Sequence, residues 1–166
     1  MIFVTVGSRQ YPFDRLFRKL DELVEKGEIP SEVFAQTGTS TYLPKNFPYT
    51  DFLTPDEFDS QIAKADLVLT HGASGSIMKA LNAGKGVVTV SRLAKYGEHI
   101  NDHQIGANAA FAENRYVLTA SEDLSDLGEC IRSVLNGSAQ LQPWRNDDPL
   151  KVVREIDAFI QNSWTD

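Results

Sequence analysis

Residues 67–84 read LVLTHGASGSIMKALNAG. Four apolar or β-branched residues, Leu67–Thr70, predict a buried strand. A turn of small residues follows at His71–Ser74, then a helix opening near Gly75 and closed by Gly84. Gly72, Ala73, Ser74, Gly75 and Ser76 leave almost no side-chain bulk at this turn. A ligand can therefore lie directly on the free N–H groups of the helix N-terminus. Those amides are unpaired and the helix dipole favours negative charge, so the expected ligand is a phosphate. A tight strand-to-helix connection that binds nothing gives the same pattern.

The same alternation extends in both directions. Upstream, Ile2–Val6 is a short β-branched run ending in Gly7-Ser8, as in a central parallel strand. Phe13, Leu16, Phe17, Leu20, Leu23 and Val24 recur at helical spacing, and Gly27 closes that helix. A second strand at 32–36 leads into Thr37-Gly38, and a short third strand is expected at 49–53. Thr54-Pro55-Asp56-Glu57 is a helix start with a capping Thr, Pro at the first position and Glu three residues after the cap. Downstream, 86–90 is another buried strand, and Ser91–Asn101 reads as a polar loop carrying Arg92, Lys95, Glu98 and His99. A helix from Asp102 to about Glu113 should turn Ile105, Ala109 and Phe111 inward. Tyr116–Thr119 is a last strand, Ser121 is expected to cap a helix ending near Asn136-Gly137, and Pro149 to open a final amphipathic helix. The result is one doubly wound parallel α/β domain, Rossmann-like, over residues 1–166.

Composition narrows the function. The 166 residues suffice for one domain with a substantial core. A net charge of −7 without a basic run argues against nucleic acid as a partner. A lone cysteine, Cys130, forms no internal disulfide. MIFVTVGS lacks a positive n-region and is too short an apolar run for a signal peptide, and no apolar run approaches the roughly 20 residues of a membrane span; a cytoplasmic protein is expected.

In a doubly wound sheet, ligands bind outside the C-terminal strand ends where the strand order reverses. Small polar residues gather at four such ends: Gly7-Ser8, Thr37-Gly38, His71–Ser76 and the approach to His103-Gln104. Gly72-Ala73-Ser74-Gly75-Ser76 resembles the G-x-S-x-G nucleophile elbow but lacks its last glycine, and no late acid-then-histidine pair completes a hydrolase triad. His99 and His103 are spaced as in a zinc-protease helix, yet Ile100 stands where the catalytic Glu belongs and no third ligand is evident. No metal site is expected, and no Asp-x-Asp pair is present to clamp a metal–diphosphate. Phosphate charge must then be met by amides and by cations such as Arg9, Lys79 or Arg92. His71 reads either as a strand-ending core histidine or as the side chain that fixes the glycine turn.

Taken together, TVGS, AQTG, DFL ahead of a capped helix, ADLVLTHGASGSIMKALNAGK, VVTVSR and EHINDHQ are similar to the C-terminal, donor-binding domain of family 28 glycosyltransferases of the GT-B fold. The resemblance covers about Ile2 to Thr119. In size it is nearest to small subunits of two-part transferases, one group making dolichol-linked chitobiose, another serving bacterial exopolysaccharide assembly, the latter matching better through EH-x-x-DHQ.

This resemblance implies a UDP-sugar donor, no cofactor and no metal. Gly7, Ser8, His71, Gly72, Ser74, Gly75 and Ser76 would face the diphosphate, and Thr37 and Gly38 the nucleotide. The backbone of Phe52 and Leu53 would meet the uracil, and His103 and Gln104 the diphosphate or the sugar. An inverting hexosyl transfer to a polyprenyl-diphosphate-linked acceptor is implied. The residues begin at once with the first strand, so the acceptor-binding half is expected from a membrane-anchored partner subunit, which can also hold the base. The final helix at 149–164, with Phe159 and Trp164, is the candidate docking element; packing on its own sheet is the alternative. Two positions depart from the family. Lys79 stands where an acidic residue usually holds the ribose, and Gly86 replaces a proline. Lys79 raises the alternative of a non-catalytic, stabilising subunit with weakened nucleotide binding. An epimerase or hydrolase of the same architecture would need a second domain.

Overall fold

The structure, a computed structural model, describes residues 1–29, 32–145 and 150–163. Six strands, β1 (Ile2–Thr5), β2 (Val33–Gln36), β3 (Tyr49–Thr50), β4 (Leu67–Thr70), β5 (Gly86–Thr89) and β6 (Leu118–Thr119), form one sheet in the order β3-β2-β1-β4-β5-β6. Every pairing is parallel. Alternation along the strands divides the core. Ile2, Val4, Leu67, Leu69 and Val88 face one side, where α1 (Asp14–Glu25) and α5 (Leu127–Leu135) pack; Phe3, Val68 and Val87 face the other, against α2 (Pro55–Lys64), α3 (Ser74–Asn82) and α4 (His103–Glu113). Helices on both faces make the three-layer, doubly wound arrangement that the alternation predicts.

The order reverses between β1 and β4, which are paired in register with Thr5 opposite Thr70. Chain leaves these two strands in opposite senses, opening a crevice above them. Thr5, Gln36, Thr70 and Thr89 form a buried polar row along that edge.

α2 starts as its sequence predicts: Glu57 N–H donates to Thr54 Oγ1 at 3.3 Å, and Thr54 N–H to Glu57 Oε2 at 2.8 Å. Elsewhere the structure departs. Ser121 caps no helix. Its N–H and hydroxyl both donate to Asp126 Oδ1, Leu124 is buried with φ +60°, and α5 begins only at Leu127. A left-handed residue ends any helix attempted there. Ile105 is 48% exposed and Ala109 half-buried; Gln104, Ala107, Asn108 and Phe111 form the inward face of α4. Segment 91–101 contains a single 3₁₀ turn at Ala94–Tyr96 and buries Arg92, Glu98 and His99.

α6 (Lys151–Ser163) packs on α4: Ile156 is buried among Ala107, Ala110 and Phe111, the Phe159 ring covers Gly106, and Asn114 Nδ2 donates to Glu155 Oε2 at 2.9 Å. Leu150, Val153 and Phe159 stay exposed. Pro149, Trp164 and the side chains of Val152 and Ile160 lie outside the described residues. Among the described residues no helix is long and apolar enough to cross a membrane.

Candidate functional site

The crevice over β1 and β4 holds a cleft of about 380 Å³. One wall is the turn His71–Gly72 with the first turn of α3. No side chain caps α3, and the first bond within the helix runs from Ile77 N–H to Ala73 C=O, so the preceding amides are available. Open space lies beyond Gly75, where an added Cβ meets nothing within 4 Å.

Two glycines make this wall possible. Gly72 has φ +91°, and a Cβ there would lie 2.3 Å from Asn108 Oδ1. Gly7 has φ +73°, and its missing side chain leaves room for the His71 ring, which a Cβ would approach to 2.9 Å. His71 is 6% exposed, with Nδ1 3.5 Å from Thr5 C=O and from Thr70 Oγ1. Burial, reinforced by the positive charge of Arg92, pushes its pKa down to about 3, so the ring is neutral.

The opposite wall is cationic. Arg92 is 2% exposed. Its guanidinium donates to the carbonyls of Val6, Tyr11 and Glu98, fixing it beneath the cleft. Burial lowers its pKa to about 10, and it remains charged at neutral pH. The Glu98 carboxylate is engaged elsewhere: Arg15 grips it with Nε–Oε1 at 2.9 Å and Nη2–Oε2 at 3.0 Å, and Leu93 N–H donates to it. This bidentate pair offsets the charge of Glu98, whose carboxylate still favours the Arg92 cation, and Arg92 lines the same cleft as the bare helix amides. Arg9, His99 and His103 complete the wall, and Asp157 of α6 stands at the same cleft.

Of the residues expected at the site, His71, Gly72, Ser74, Gly75, His103 and Gln104 line this cleft, together with Arg9 and Arg92. Gly7 sits under His71, and Gly38 packs on the Gly7 carbonyl, 2.7 Å from where its own Cβ would be. Ser8 is exposed beyond Gly7, and Ser76 is half-buried on α3; neither is in the lining. Thr37 is buried, its N–H and hydroxyl both donating to Thr50 C=O, at 2.9 and 3.3 Å. Phe52, 50% exposed, and half-buried Leu53 follow β3 on the flank of the sheet rather than in the cleft. Lys79 lies outside the cleft: its ammonium donates to Asp59 Oδ1 at 2.6 Å and covers the Phe58 ring. It therefore supplies no charge to the lining.

Sequence reasoning passed over Asn108 and Asp157, and weighed His99 only for zinc or hydrolase chemistry. Asn108, fully buried, ties α4 to the site through Nδ2, which donates to Ser91 Oγ at 2.7 Å while the amide supports Gly72. An amide four residues after Gln104, on its helical face, is the signal that marks it.

The family model for the glycosyltransferase family 28 C-terminal domain matches residues 1–155. Human UDP-N-acetylglucosamine transferase subunit ALG13 is 30% identical over an alignment of 113 positions that covers 63% of this chain and 9% of that protein. Among solved structures, the calicheamicin glycosyltransferase CalG4 superposes with a TM-score of 0.62 at 18% identity, over 98% of this chain and 44% of its own. SnogD from Streptomyces nogalater gives 0.53 at 18% identity, over 95% and 40%. VinC, solved in complex with dTDP, gives 0.50 at 17% identity, over 95% and 37%. At such identities the structural likeness is one of fold, and this chain spans less than half of each relative.

Proposed function

The chain belongs to the glycosyltransferase family 28 C-terminal domain family, and from that premise we propose that it binds the nucleotide-sugar donor of a two-subunit glycosyltransferase. The donor is a UDP-sugar, its diphosphate held between the Gly7 loop and the first turn of α3. Transfer goes to a polyprenyl-diphosphate-linked acceptor in exopolysaccharide assembly, beside a membrane-anchored subunit that presents the acceptor. One observation carries this reading: the uncapped N-terminus of α3 shares the switch-point cleft with the buried cation Arg92, whose neighbour Glu98 is gripped by Arg15. Such a pairing of amides and fixed cation is complementary to a diphosphate. The ALG13 and VinC descriptions, a UDP-sugar transferase subunit and a dTDP complex, support a pyrimidine nucleoside diphosphate.

The reaction is an inverting displacement without a metal. The acceptor hydroxyl attacks the anomeric carbon from the face opposite the diphosphate. As the carbon–oxygen bond to the β-phosphate breaks, its electron pair leaves with UDP, and the added charge grows beside the α3 amides and above the fixed positive charge of Arg92. Preorganised donors of this kind stabilise the transition state without reorganising.

Titration calorimetry with UDP tests the donor site. Gly72→Ala should weaken UDP at least tenfold, because a Cβ at φ +91° collides with Asn108 and moves the turn. Absent UDP binding, or equal affinity in the two proteins, overturns the reading. The rival, a stabilising subunit with a decayed site, is favoured by Lys79, whose ammonium, committed to Asp59, cannot accept hydroxyl protons from a ribose. It predicts no heat with UDP from the native chain.

A further inference from the structure

Two histidines of the cleft receive opposite hydrogen-bonding roles from one neighbour. The backbone N–H of Asn101 donates to Nδ1 of His99 at 3.4 Å. The side-chain carbonyl Oδ1 of Asn101 accepts the backbone N–H of His103 at 3.3 Å, and the same oxygen faces Nδ1 of His103. A backbone N–H can only donate, so the Asn101 amide is turned oxygen-first and can only accept at this end. In the neutral His103 ring, Nδ1 must then carry the proton, and Nε2 keeps a free lone pair. His99 is the reverse case: Nδ1 accepts, and Nε2 carries the proton. The two rings meet edge to face with centroids 4.8 Å apart, and both line the cleft with His71 and Gly72. Burial above all, with the positive charge of Arg92 nearby, holds the His99 pKa below its usual value, which favours the neutral ring at pH 7.

We propose that Asn101 is a positioning residue that splits the pair into one donor and one acceptor, His99 Nε2–H meeting the leaving diphosphate and His103 Nε2 receiving the proton of the acceptor hydroxyl. The inference rests on the donor-binding function above and gives this chain the general base of its own reaction. The hydroxyl oxygen bonds the anomeric carbon, the bond to the β-phosphate oxygen breaks with its electron pair, and the hydroxyl proton passes to His103 Nε2. A lone pair facing a diphosphate would be repelled, so His103 serves the hydroxyl and not the phosphate. The other polar or charged groups facing the pair are Arg9, Tyr11, His71, Ser74, Arg92, Gln104 and Asp157. Gln104 Oε1 accepts from Arg92 N–H at 3.1 Å, and His71 is buried against Gly7. Asp157 is the rival base.

Long-range ¹H–¹⁵N correlation on the labelled chain at pH 7.5 reads both tautomers directly. The expected spectrum has Nδ1–H on His103 and Nε2–H on His99. Asn101→Ala should release His103 from its Nδ1–H form, and Asn101→Asp, which keeps the acceptor oxygen, should restore it. Transfer from UDP-glucose or UDP-glucuronate is then followed in membranes carrying the anchored subunit. Asn101→Ala and His103→Phe should lower kcat about 100-fold with the donor KM within threefold, and Asn101→Asp should regain most of it. His99→Phe should weaken UDP about tenfold, the loss of one charge-assisted hydrogen bond. An Nε2–H tautomer on His103 in the native protein overturns the proposal, as does full transfer by Asn101→Ala. Rate lost in Asp157→Asn and kept in His103→Phe moves the base to α6 and overturns it too. If UDP does not bind the native chain, the donor-site function fails, and the spectrum alone decides what Asn101 does.

Discussion

His71 joins stability to the site within a single side chain. Its ring fills the space left by Gly7 and reaches toward the carbonyl of Thr5, which ties the ends of β1 and β4 together. The native pKa near 3 lies below the 6.5 of an unfolded histidine. Between these values the unfolded chain binds a proton that the native protein refuses, so stability rises with pH across that window and falls as acid is added. Each pH unit of acidification below 6.5 should cost about 1.4 kcal/mol. His99 is shifted in the same direction. The lowered carboxylates, Asp14 and Asp123 among them, lose their contribution only below about pH 4. Urea midpoints at pH 7 and pH 5 should thus isolate the histidines, the midpoint falling at pH 5 in the native chain and falling less in His71→Gln. Equal midpoints in the native chain would mean that His71 is protonated there.

Elements differ in how much of their start is local. The cap of α2 is contained in four consecutive residues, and its reciprocal bonds form as their spacing dictates. Thr54→Ala should cost about 1 kcal/mol, read as a lower urea midpoint with an unchanged slope. UDP affinity should stay as it was, because α2 lies outside the cleft. α3 is the contrasting case. Its N-terminus carries no capping side chain, a weakness for a lone helix and the condition for an anion site. α5 shows how tertiary contacts override a cap signal: burying Leu124 in the core forces a left-handed turn where Ser121 offers a helix start.

At the scale of the molecule, the cleft opens on one edge of the sheet, and α6 brings Ile156 and Asp157 to its rim. The proposed acceptor would enter from that open side. Sugar transfer to a lipid-linked acceptor is expected only when the anchored subunit is co-expressed, measured as radiolabel passing from a UDP-hexose into the lipid fraction. Robust transfer by the purified chain alone would remove the two-subunit element of the proposal. α6, the expected docking element, is already laid on α4 with Ile156 buried, while Leu150, Val153 and Phe159 stay exposed.

Sequence by itself determined the strand–helix alternation, the small-residue turn that begins at His71 (one residue shorter than expected, since α3 opens at Ser74), the α2 cap and the gathering of small polar residues at strand ends, because each is written in neighbouring residues and their period. Only the tertiary structure decided which side chains share the cleft. Arg92 reaches the carbonyl of Val6 across 86 positions, and Arg15 claims Glu98 across 83. Lys79 is drawn out of the site by Asp59, twenty positions away on another helix. Charge pairing and burial at such separations depend on which loops the sheet order sets side by side, and no local pattern records that choice.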